Sequence, residues 1–530
     1  MDQGPVTAAP RRRQLLTLPR FLALTGLLAA MLTARPQVAD PDFWWHLRNG
    51  RILLASNALI HVNPYAFMAV GHHWIMQEWL SEVWSAALIS LTGRLGFVIA
   101  YDLVTFGLFL LIWLRARELG PAHGLTLGVG VLLAGMVAYP ILGPRSQMQS
   151  YLLAALVLLV VDRQLRRGGQ VAFWLPPVFL IWSNLHSGFI LGLILLVAIV
   201  AVETLGIVLG RRSAAERVRI GRLALATGCS AAACLINPNG AAIVAYPFQT
   251  QFNSAQQALI QEWHSPDFHV GVLVPLLFFI VSLGLLLLRY RRVSLRDAVV
   301  LTLCLFLTLQ SVRNSVFLVA AGTPVWINLA ERMRQGLARR WHPRLRLRQP
   351  PLVVLLELLE MGFLLAFLTV QVDAGGSARL DSPTFIGSFP VCASRWLAAG
   401  PPGLRIFNQY GDGGFLAYSL PRDKVYIFGD AALMGEPLLY RYASIIDLSP
   451  TWLTRLDASP SQLVLFERGT AFPDALQQEP NWKVVYRDRR VEVFERTSLL
   501  GSLRLPPNPS ARSWHQLGVS ACAGQTQTLP

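Results

Sequence analysis

Charged residues are scarce in this chain. They make up 14% of its 530 residues, against roughly 25% in soluble domains, while 53% are hydrophobic. That balance excludes an ordinary soluble protein and points to the bilayer as solvent. Cysteine is scarcer still, with five residues, too few for a disulfide-built scaffold. Zinc-ligand spacing, a Walker loop, a nucleophile elbow and a histidine-rich cluster are all missing. Acids are outnumbered, and the formal net charge is +16. Such a surplus could suggest nucleic acid, but its distribution argues otherwise. From Asp373 onward fifteen Lys+Arg nearly cancel fourteen Asp+Glu, so +15 of the surplus lies in the first 372 residues. Most of it is arginine in short loops between apolar segments, which is the positive-inside pattern of a membrane protein. The expected partner is therefore the lipid bilayer, and no nucleic acid.

What is present in abundance is long apolar runs. Segments 19–35, 97–114, 122–139, 147–162, 171–186, 188–209, 220–236, 272–288, 296–312, 314–330 and 352–372 predict about eleven crossings. The first follows Arg11, Arg12, Arg13 and Arg20 and is read as a retained helix behind a cytoplasmic basic N-terminus, residues 1–18. Segment 78–93 starts with Glu78 and Glu82 and would be a twelfth. Arginine parity rejects it. With eleven spans and the N-terminus inside, the loops at Arg115/Arg117, Arg163–Arg167, Arg211–Arg222, Arg289–Arg296 and Arg332–Arg348 all lie in the cytoplasm. Segment 78–93 is therefore placed as an interfacial or re-entrant helix inside a first external loop, 36–96. The membrane domain covers 19–372.

The same topology puts the polar, helix-breaking motifs on the outside. These are Asp40-Pro41-Asp42, Gly143-Pro144-Arg145-Ser146-Gln147, Asn184-Leu185-His186-Ser187-Gly188, Asn237-Pro238-Asn239-Gly240, Glu262-Trp263-His264 and Ser311-Val312-Arg313-Asn314. Broken backbone at membrane depth is tolerated where it lines a water-filled cavity, so one polar cavity opening to the exterior is predicted. Beyond residue 373 the apolar runs stop. Short β-like stretches at Leu404–Asn408, Lys424–Phe428, Leu463–Glu467, Trp482–Tyr486 and Val491–Glu495 alternate with helical pieces at 451–457 and 472–478. They predict a small extracytoplasmic α/β domain, 373–505, with a Pro/Ser-rich, poorly ordered tail, 506–530. Gly411-Asp412-Gly413-Gly414 reads as a turn, too irregular for a phosphate loop. Cys392 and Cys522 both fall in this part and could pair if it is exported; two unrelated thiols are the alternative. Cys229, Cys234 and Cys304 sit in apolar runs and read as packing residues.

Carboxylates held at a membrane surface are costly unless they have a task, which makes Asp40 and Asp42 the leading catalytic candidates. One could take a proton from an acceptor hydroxyl while the other binds a metal or positions the acceptor; the alternative is a pair of interfacial acids capping a helix. Trp44 and Trp45 beside them read as an aromatic belt for at least one of the pair, a sugar-stacking platform being the alternative. His46, Glu78, Arg145, Asn184, His186, Asn237, Glu262 and Arg313 form the candidate substrate-binding set. Arg145 and Arg313 break the inside bias, and a guanidinium matches phosphate bidentately; snorkelling to the interface is the competing reading.

These residues resemble the GT-C superfamily of integral-membrane glycosyltransferases, in particular bacterial proteins related to the protein O-mannosyltransferase and aminoarabinose-transferase group. The resemblance rests on Asp40-Pro41-Asp42-Phe43-Trp44-Trp45-His46-Leu47, Asn63-Pro64-Tyr65, Trp74 to Glu82, Asn184 to Phe189, Asn237-Pro238-Asn239-Gly240 with Tyr246-Pro247, Glu262 to Pro266, Arg313-Asn314 and Arg405 to Gly411. It implies a GT-C-like, α-helical polytopic fold in the bacterial inner membrane. It also implies a polyprenyl-phosphate-linked sugar as donor, a glycan, lipid or protein acceptor outside the cell, and a catalytic acid at Asp40 or Asp42. Some members need a divalent metal (Mg or Mn), for which Asp40 or Asp42 would be the ligand. Phe428-Gly429-Asp430 departs from the acid-glycine-arginine turn of relatives. A surface-polysaccharide polymerase or ligase, and a non-enzymatic transporter or scaffold, are the rival readings; a transporter would show mid-span charges or internal repeats, and neither is evident.

Overall fold

A computed structural model of the chain describes residues 40–341 apart from Arg292, residues 387–507, and isolated positions that include Trp514 and Cys522. Segments 19–35 and 352–372 lie outside these apart from single positions. The other nine apolar segments fall on helices. A short helix α1 (Phe43–Ser56) is followed by the 41-residue α2 (Trp79–Leu119). Then come α3 (Gly124–Ala138), α4 (Gln147–Arg167), α5 (Leu175–Leu185), α6 (Phe189–Val208) and α7 (Ala214–Ala233). After two short external helices, α8 (Ala242–Gln251) and α9 (Ser254–Leu259), the bundle continues with α10 (Val274–Tyr290), α11 (Leu295–Gln310) and α12 (Ser315–Trp341). Among the described residues four helical stretches are long and apolar enough to cross a membrane, Trp79–Leu119, Gln147–Arg167, Phe189–Val208 and Gly271–Tyr290, and Gly124–Ala138 and Val171–Leu185 are shorter apolar helices.

Local chemistry sets the boundaries. Ser213 accepts from the Glu216 N–H while Glu216 accepts from the Ser213 N–H, a capping box that opens α7. Two prolines occupy the first turn of α5, where no N–H is required. Gly93 breaks α2: its φ is +69°, a region an L side chain enters at a cost. The arm 79–92 therefore turns away from the apolar rod that follows; Glu82 and Ala86 of the arm press on Gly50 of α1, while Arg115 of the rod bonds to Asp162 of α4 and to the Ala320 and Ala321 carbonyls of α12. Segment 78–93 is thus a helix separate in direction from 97–114.

The bundle has two unlike ends. Glu78, the N-terminal end of α4, the α5–α6 junction and the α11–α12 junction meet at one end. The opposite end carries Arg115, Arg163, Arg167, Arg212, Arg296 and Arg334. There Arg115 donates to Asp162 at 2.7 Å and to the Ala321 carbonyl at 2.9 Å, and Arg296 pairs with the other Asp162 oxygen at 3.0 Å. Arg115, Asp162 and Arg296 are buried, so two arginines read as loop charges are cross-links inside the bundle.

The C-terminal part is an α/β unit with sheet order β2-β1-β3-β5-β4, built from β1 (Arg405–Asn408), β2 (Lys424–Val425), β3 (Leu463–Glu467), β4 (Trp482–Arg487) and β5 (Val491–Arg496). β1 runs parallel to β2 and β3, and β5 antiparallel to β3 and β4. The sequence stretches matched all five strands, with β2 shorter than expected. Gly411-Asp412-Gly413-Gly414 is not a free turn: Tyr410–Asp412 is one 3₁₀ turn and Gly413 and Gly414 open helix α13 (Gly413–Ser419). Cys392 and Cys522 form a disulfide with Cα atoms 5.7 Å apart, and Trp514 and Cys522 are buried. Within the segment read as a loose tail, these two positions are fixed to the domain. Of the remaining cysteines, Cys234 and Cys304 are buried and Cys229 is exposed.

This unit sits on the first external loop. The Val425 N–H donates to the Tyr65 carbonyl at 3.0 Å, and Ala66 bridges Val425 in parallel, extending the sheet edge into the loop. Trp44 lies edge-on to Phe389 and Phe415, and Trp45 packs on Trp74 and Phe428. Both tryptophans are buried. The aromatic-belt reading is therefore corrected: the C-terminal domain, not lipid, covers them.

Candidate functional site

The site begins with the N-terminus of α1. Asp40 Oδ1 accepts the Asp42 N–H at 2.9 Å, which folds Asp40-Pro41-Asp42 into a tight entry to the helix. Asp42 Oδ1 then accepts from Trp45 Nε1 at 3.1 Å, one turn on. Its Oδ2 has no hydrogen-bond partner among the described residues. The Asp42 carboxyl is pushed above the ordinary range, first by burial and then by Asp40; His46 and Arg145 oppose the shift.

Asp40 is committed elsewhere. Its Oδ2 forms an ion pair with Arg145 Nε that lacks hydrogen-bond alignment. The same guanidinium meets Glu262 through two nitrogens, at 2.7 and 2.8 Å. Burial works against the Arg145 charge, but Asp40 and Glu262 hold it firmly protonated. Arg145 lowers the Glu262 carboxyl against the effect of burial.

His46, on α1, lies between two acids of the adjoining arm. Nδ1 is 2.8 Å from Glu82 Oε1, and Nε2 is 3.3 Å from Glu78 Oε2. Burial disfavours the imidazolium, yet Glu78 and Glu82 outweigh it and raise the pKa to about 9. Glu78 answers in the opposite direction: burial raises it, but His46 and His186 bring it below the usual value. Ser146 also donates to Glu78. His186 caps α5 with Nε2 3.6 Å from Glu78. The Gly188 N–H reaches its Nδ1 at 2.8 Å, so the neutral ring carries its proton on Nε2, facing Glu78.

Arg313 stands apart from this acid-rich cluster. It donates to Gln147 Oε1 at 2.9 Å and lies 4.7 Å over the Trp263 ring. No carboxylate pairs with it among the described residues.

Two adjoining cavities collect these groups. One, of about 440 Å³, is lined by Asp40, Asp42, His46, Glu78, Arg145, His186, Glu262 and Arg313, together with Tyr410, Gly411, Gly414 and Gly429 of the C-terminal domain. The other, of about 510 Å³, shares Asp42, His46, Glu78, His186 and Arg313 and runs along Ile190, Leu191, Ile194, Phe306, Leu307 and Phe317 of the bundle. Eight of the ten sequence candidates therefore converge on one place. Asn184 and Asn237 do not line it. Asn184 accepts from Trp79 Nε1 at 2.9 Å and donates to Leu180 and Ile236; Asn237 donates to the Ser183 carbonyl. Both fasten helix ends behind the cavity wall.

Two groups at the site, noted in the sequence only as part of the departing Phe428-Gly429-Asp430 stretch, were not among the site candidates. Asp430 lines the larger cavity and accepts from Trp74 Nε1 at 2.7 Å; burial lifts its pKa to about 6. Its sequence signature is that of a helix cap ahead of Ala431-Ala432, which is the Leu433 N–H bond it also accepts. Gly429 sits against Asp42 so closely that a Cβ there would fall 1.6 Å from Oδ1. Only the folded chain reveals that contact.

No family model matches this chain, and no curated protein matches it by sequence. Solved structures do. An oligosaccharyltransferase, AglB from Archaeoglobus fulgidus in complex with an inhibitory peptide and a dolichol-phosphate, superposes with a TM-score of 0.54 at 10% identity over 84% of this chain and 69% of that one. The Archaeoglobus fulgidus oligosaccharyltransferase tethered to an acceptor peptide gives 0.54 at 9% identity over 95% and 77%. ArnT from Cupriavidus metallidurans bound to undecaprenyl phosphate gives 0.48 at 14% identity over 92% and 98%.

Proposed function

We infer that this chain, whose fold is like that of the archaeal oligosaccharyltransferase and which carries several helices long and apolar enough to cross a membrane, is a multi-pass membrane glycosyltransferase of the GT-C kind. We propose that it transfers a sugar from a polyprenyl-phosphate donor to an extracytoplasmic acceptor hydroxyl, with Asp42 as the base. The observation that carries this reading is the meeting of two groups at adjoining cavities. Among the described residues they are a carboxylate with one oxygen free, Asp42, and a guanidinium without a carboxylate partner, Arg313.

The larger cavity, with its apolar wall on α6, α11 and α12, receives the lipid-linked donor. The archaeal complex with a dolichol-phosphate and an inhibitory peptide, and the archaeal structure tethered to an acceptor peptide, support a lipid phosphate and an acceptor as the two ligands. Arg313 meets the donor phosphate, and Asp42 Oδ2 takes the proton of the acceptor hydroxyl held in the smaller, more polar cavity. The acceptor oxygen attacks the anomeric carbon, the bond from that carbon to the phosphate oxygen breaks, and the lipid phosphate leaves against Arg313. A single in-line displacement of this kind inverts the anomeric centre. A preorganised cation in a water-poor site stabilises the developing phosphate charge more than it would in water.

We further infer that the cavity end and the C-terminal domain face outward across the inner membrane. The arginine-rich opposite end supports this, as does the Cys392–Cys522 disulfide, which suits an oxidising compartment. The test is transfer from synthetic polyprenyl-phosphate sugars by the purified protein in nanodiscs, together with glycan profiling of a deletion strain. Loss of a glycan that wild type restores and Asp42→Asn does not is the expected result. Full restoration by a well-folded Asp42→Asn protein would overturn the assignment.

A further inference from the structure

A divalent metal at Asp40 or Asp42 is implied for some proteins that this chain resembles, so the carboxylates can be tested for fit. Magnesium and manganese want about six oxygen ligands in near-octahedral array, several of them carboxylates with free lone pairs. Here the oxygens are already engaged. Asp40 gives Oδ1 to the Asp42 N–H and Oδ2 to Arg145. Both oxygens of Glu262 face the Arg145 guanidinium. Glu78 is met by Ser146, Gln77, His46 and His186. Among the described residues Asp42 Oδ2 is left over on the cavity side and Glu82 Oε2 is left over behind it, away from the cavity lining, and no group of three or more His, Cys, Asp or Glu is placed to hold a metal ion. The residues present do not fit a divalent cation.

We propose that Arg145 is the built-in cation of this site, bridging Asp40 and Glu262 where a metal would otherwise be needed, so that the protein works without a bound divalent ion. A guanidinium keeps its charge at any physiological pH and offers five donors in a fixed fork. Arg145 uses that fork to tie three separate segments: the first external loop through Asp40, its own loop between α3 and α4, and the loop before α10 through Glu262. Tying distant carboxylates into one rigid cluster is a task that a metal commonly performs. Its charge also opposes the upward push that burial and Asp40 exert on Asp42. Arg145 is thus a positioning residue, acting on the reaction through Asp40 and Asp42, and Arg313 is left for the phosphate.

The activity arm of the test rests on the transferase reading, whereas the binding arm stands without it. Manganese is titrated into the purified full-length protein, and free Mn²⁺ is followed by its paramagnetic resonance signal. Wild type is expected to leave that signal unchanged, or to show weak uptake that Asp40→Asn does not alter. Uptake of one Mn²⁺ per chain that Asp40→Asn abolishes overturns the proposal. In the activity arm, transfer is expected to survive treatment with EDTA. Loss of transfer in EDTA that magnesium or manganese restores also overturns it. Arg145→Ala is expected to slow transfer on the order of a hundredfold, with no rescue by added metal, and Arg145→Lys is expected to keep more of the rate; an Arg145→Ala protein as fast as wild type counts against it. A protein that transfers no sugar under any condition defeats the transferase reading and leaves the binding result to stand by itself.

Discussion

Asp40 and Asp42 are two residues apart, yet their surroundings divide them. Asp40 is spent on Arg145 and on the Asp42 N–H, and Asp42 keeps one oxygen for the cavity. Removing the Asp42 charge should therefore lower kcat by roughly 10²–10⁴, the usual worth of a general base, with KM little changed. Asp40→Asn should act indirectly, by freeing Arg145, and so change KM as well as kcat. Steady-state kinetics of the two variants separates these outcomes. His46 makes a second prediction. Its pKa is raised from 6.5 to about 9 because Glu78 and Glu82 overcome burial. A raised folded-state pKa means that the charge stabilises the folded form. That stabilisation is complete below 6.5 and is lost as pH rises through about 9. Thermal unfolding in detergent should show a melting temperature that falls over this window, and His46→Gln should remove that part of the slope. Reading the sequence brought out the acid pair and His46 because charges beside an apolar span are costly unless they have a task. It could not divide the roles: Arg145 lies about a hundred residues away from Asp40 in the chain, and Glu262 farther still, and only folding brings them together. Asn184 and Asn237 went the other way, because a polar residue at a helix end serves equally to tie backbone and to meet a substrate.

At the scale of elements, the site exists because three helices approach unusually closely. A Cβ on Gly50 of α1 would lie 2.0 Å from the Glu82 carbonyl on the arm of α2, so α1 can press against that arm and bring His46 to Glu82. On the other flank, Gly414 of α13 faces the Pro41 carbonyl and the Trp45 ring, and Gly429 faces Asp42. Gly429→Ala should drive the Asp42 carboxylate off Trp45 Nε1 or push the C-terminal domain aside, since 1.6 Å from Oδ1 is far inside van der Waals contact and Trp45 Nε1, 3.1 Å from the same Cβ, closes the adjoining space. The expected result is a protein that inserts into the membrane and retains its disulfide, but has transfer reduced at least tenfold and faster proteolysis between the two units. Gly387→Ala, where a Cβ meets nothing within 4 Å, should behave as wild type. The elements themselves were readable: short β-like stretches bounded by turn residues marked the strands of the sheet, and the arginine count set 78–93 apart from the apolar segment that follows it. Their docking was not. Trp44 and Trp45 look alike in sequence to interfacial anchors, and what makes them core residues is an aromatic surface, Phe389, Phe415 and Phe428, supplied more than three hundred residues later.

For the whole molecule, charge and redox chemistry point the same way. Every candidate that lines the cavities lies at one end of the bundle, and Arg163, Arg167, Arg212 and Arg334 crowd the other. In the proposed orientation the arginine-rich end is the cytoplasmic one, and the cavities and the C-terminal domain face outside. The Cys392–Cys522 bond is the independent handle on this argument, because it spans 130 residues of that domain and would not persist in a reducing cytosol. In intact cells a membrane-impermeant maleimide should therefore label neither cysteine until a reductant is added, and then both. On a non-reducing gel the wild type should run ahead of Cys392→Ser. The bond closes a long loop, so Cys392→Ser and Cys522→Ser should each destabilise the domain by about 2–4 kcal/mol while leaving the Asp42 cluster in place, and transfer should fall only as far as the domain unfolds. The reverse pattern, cysteines that stay reduced in the cell together with a C-terminal reporter active only in the cytoplasm, would invert the topology. It would then put the acids of the first loop on the wrong side of the membrane for an extracytoplasmic acceptor.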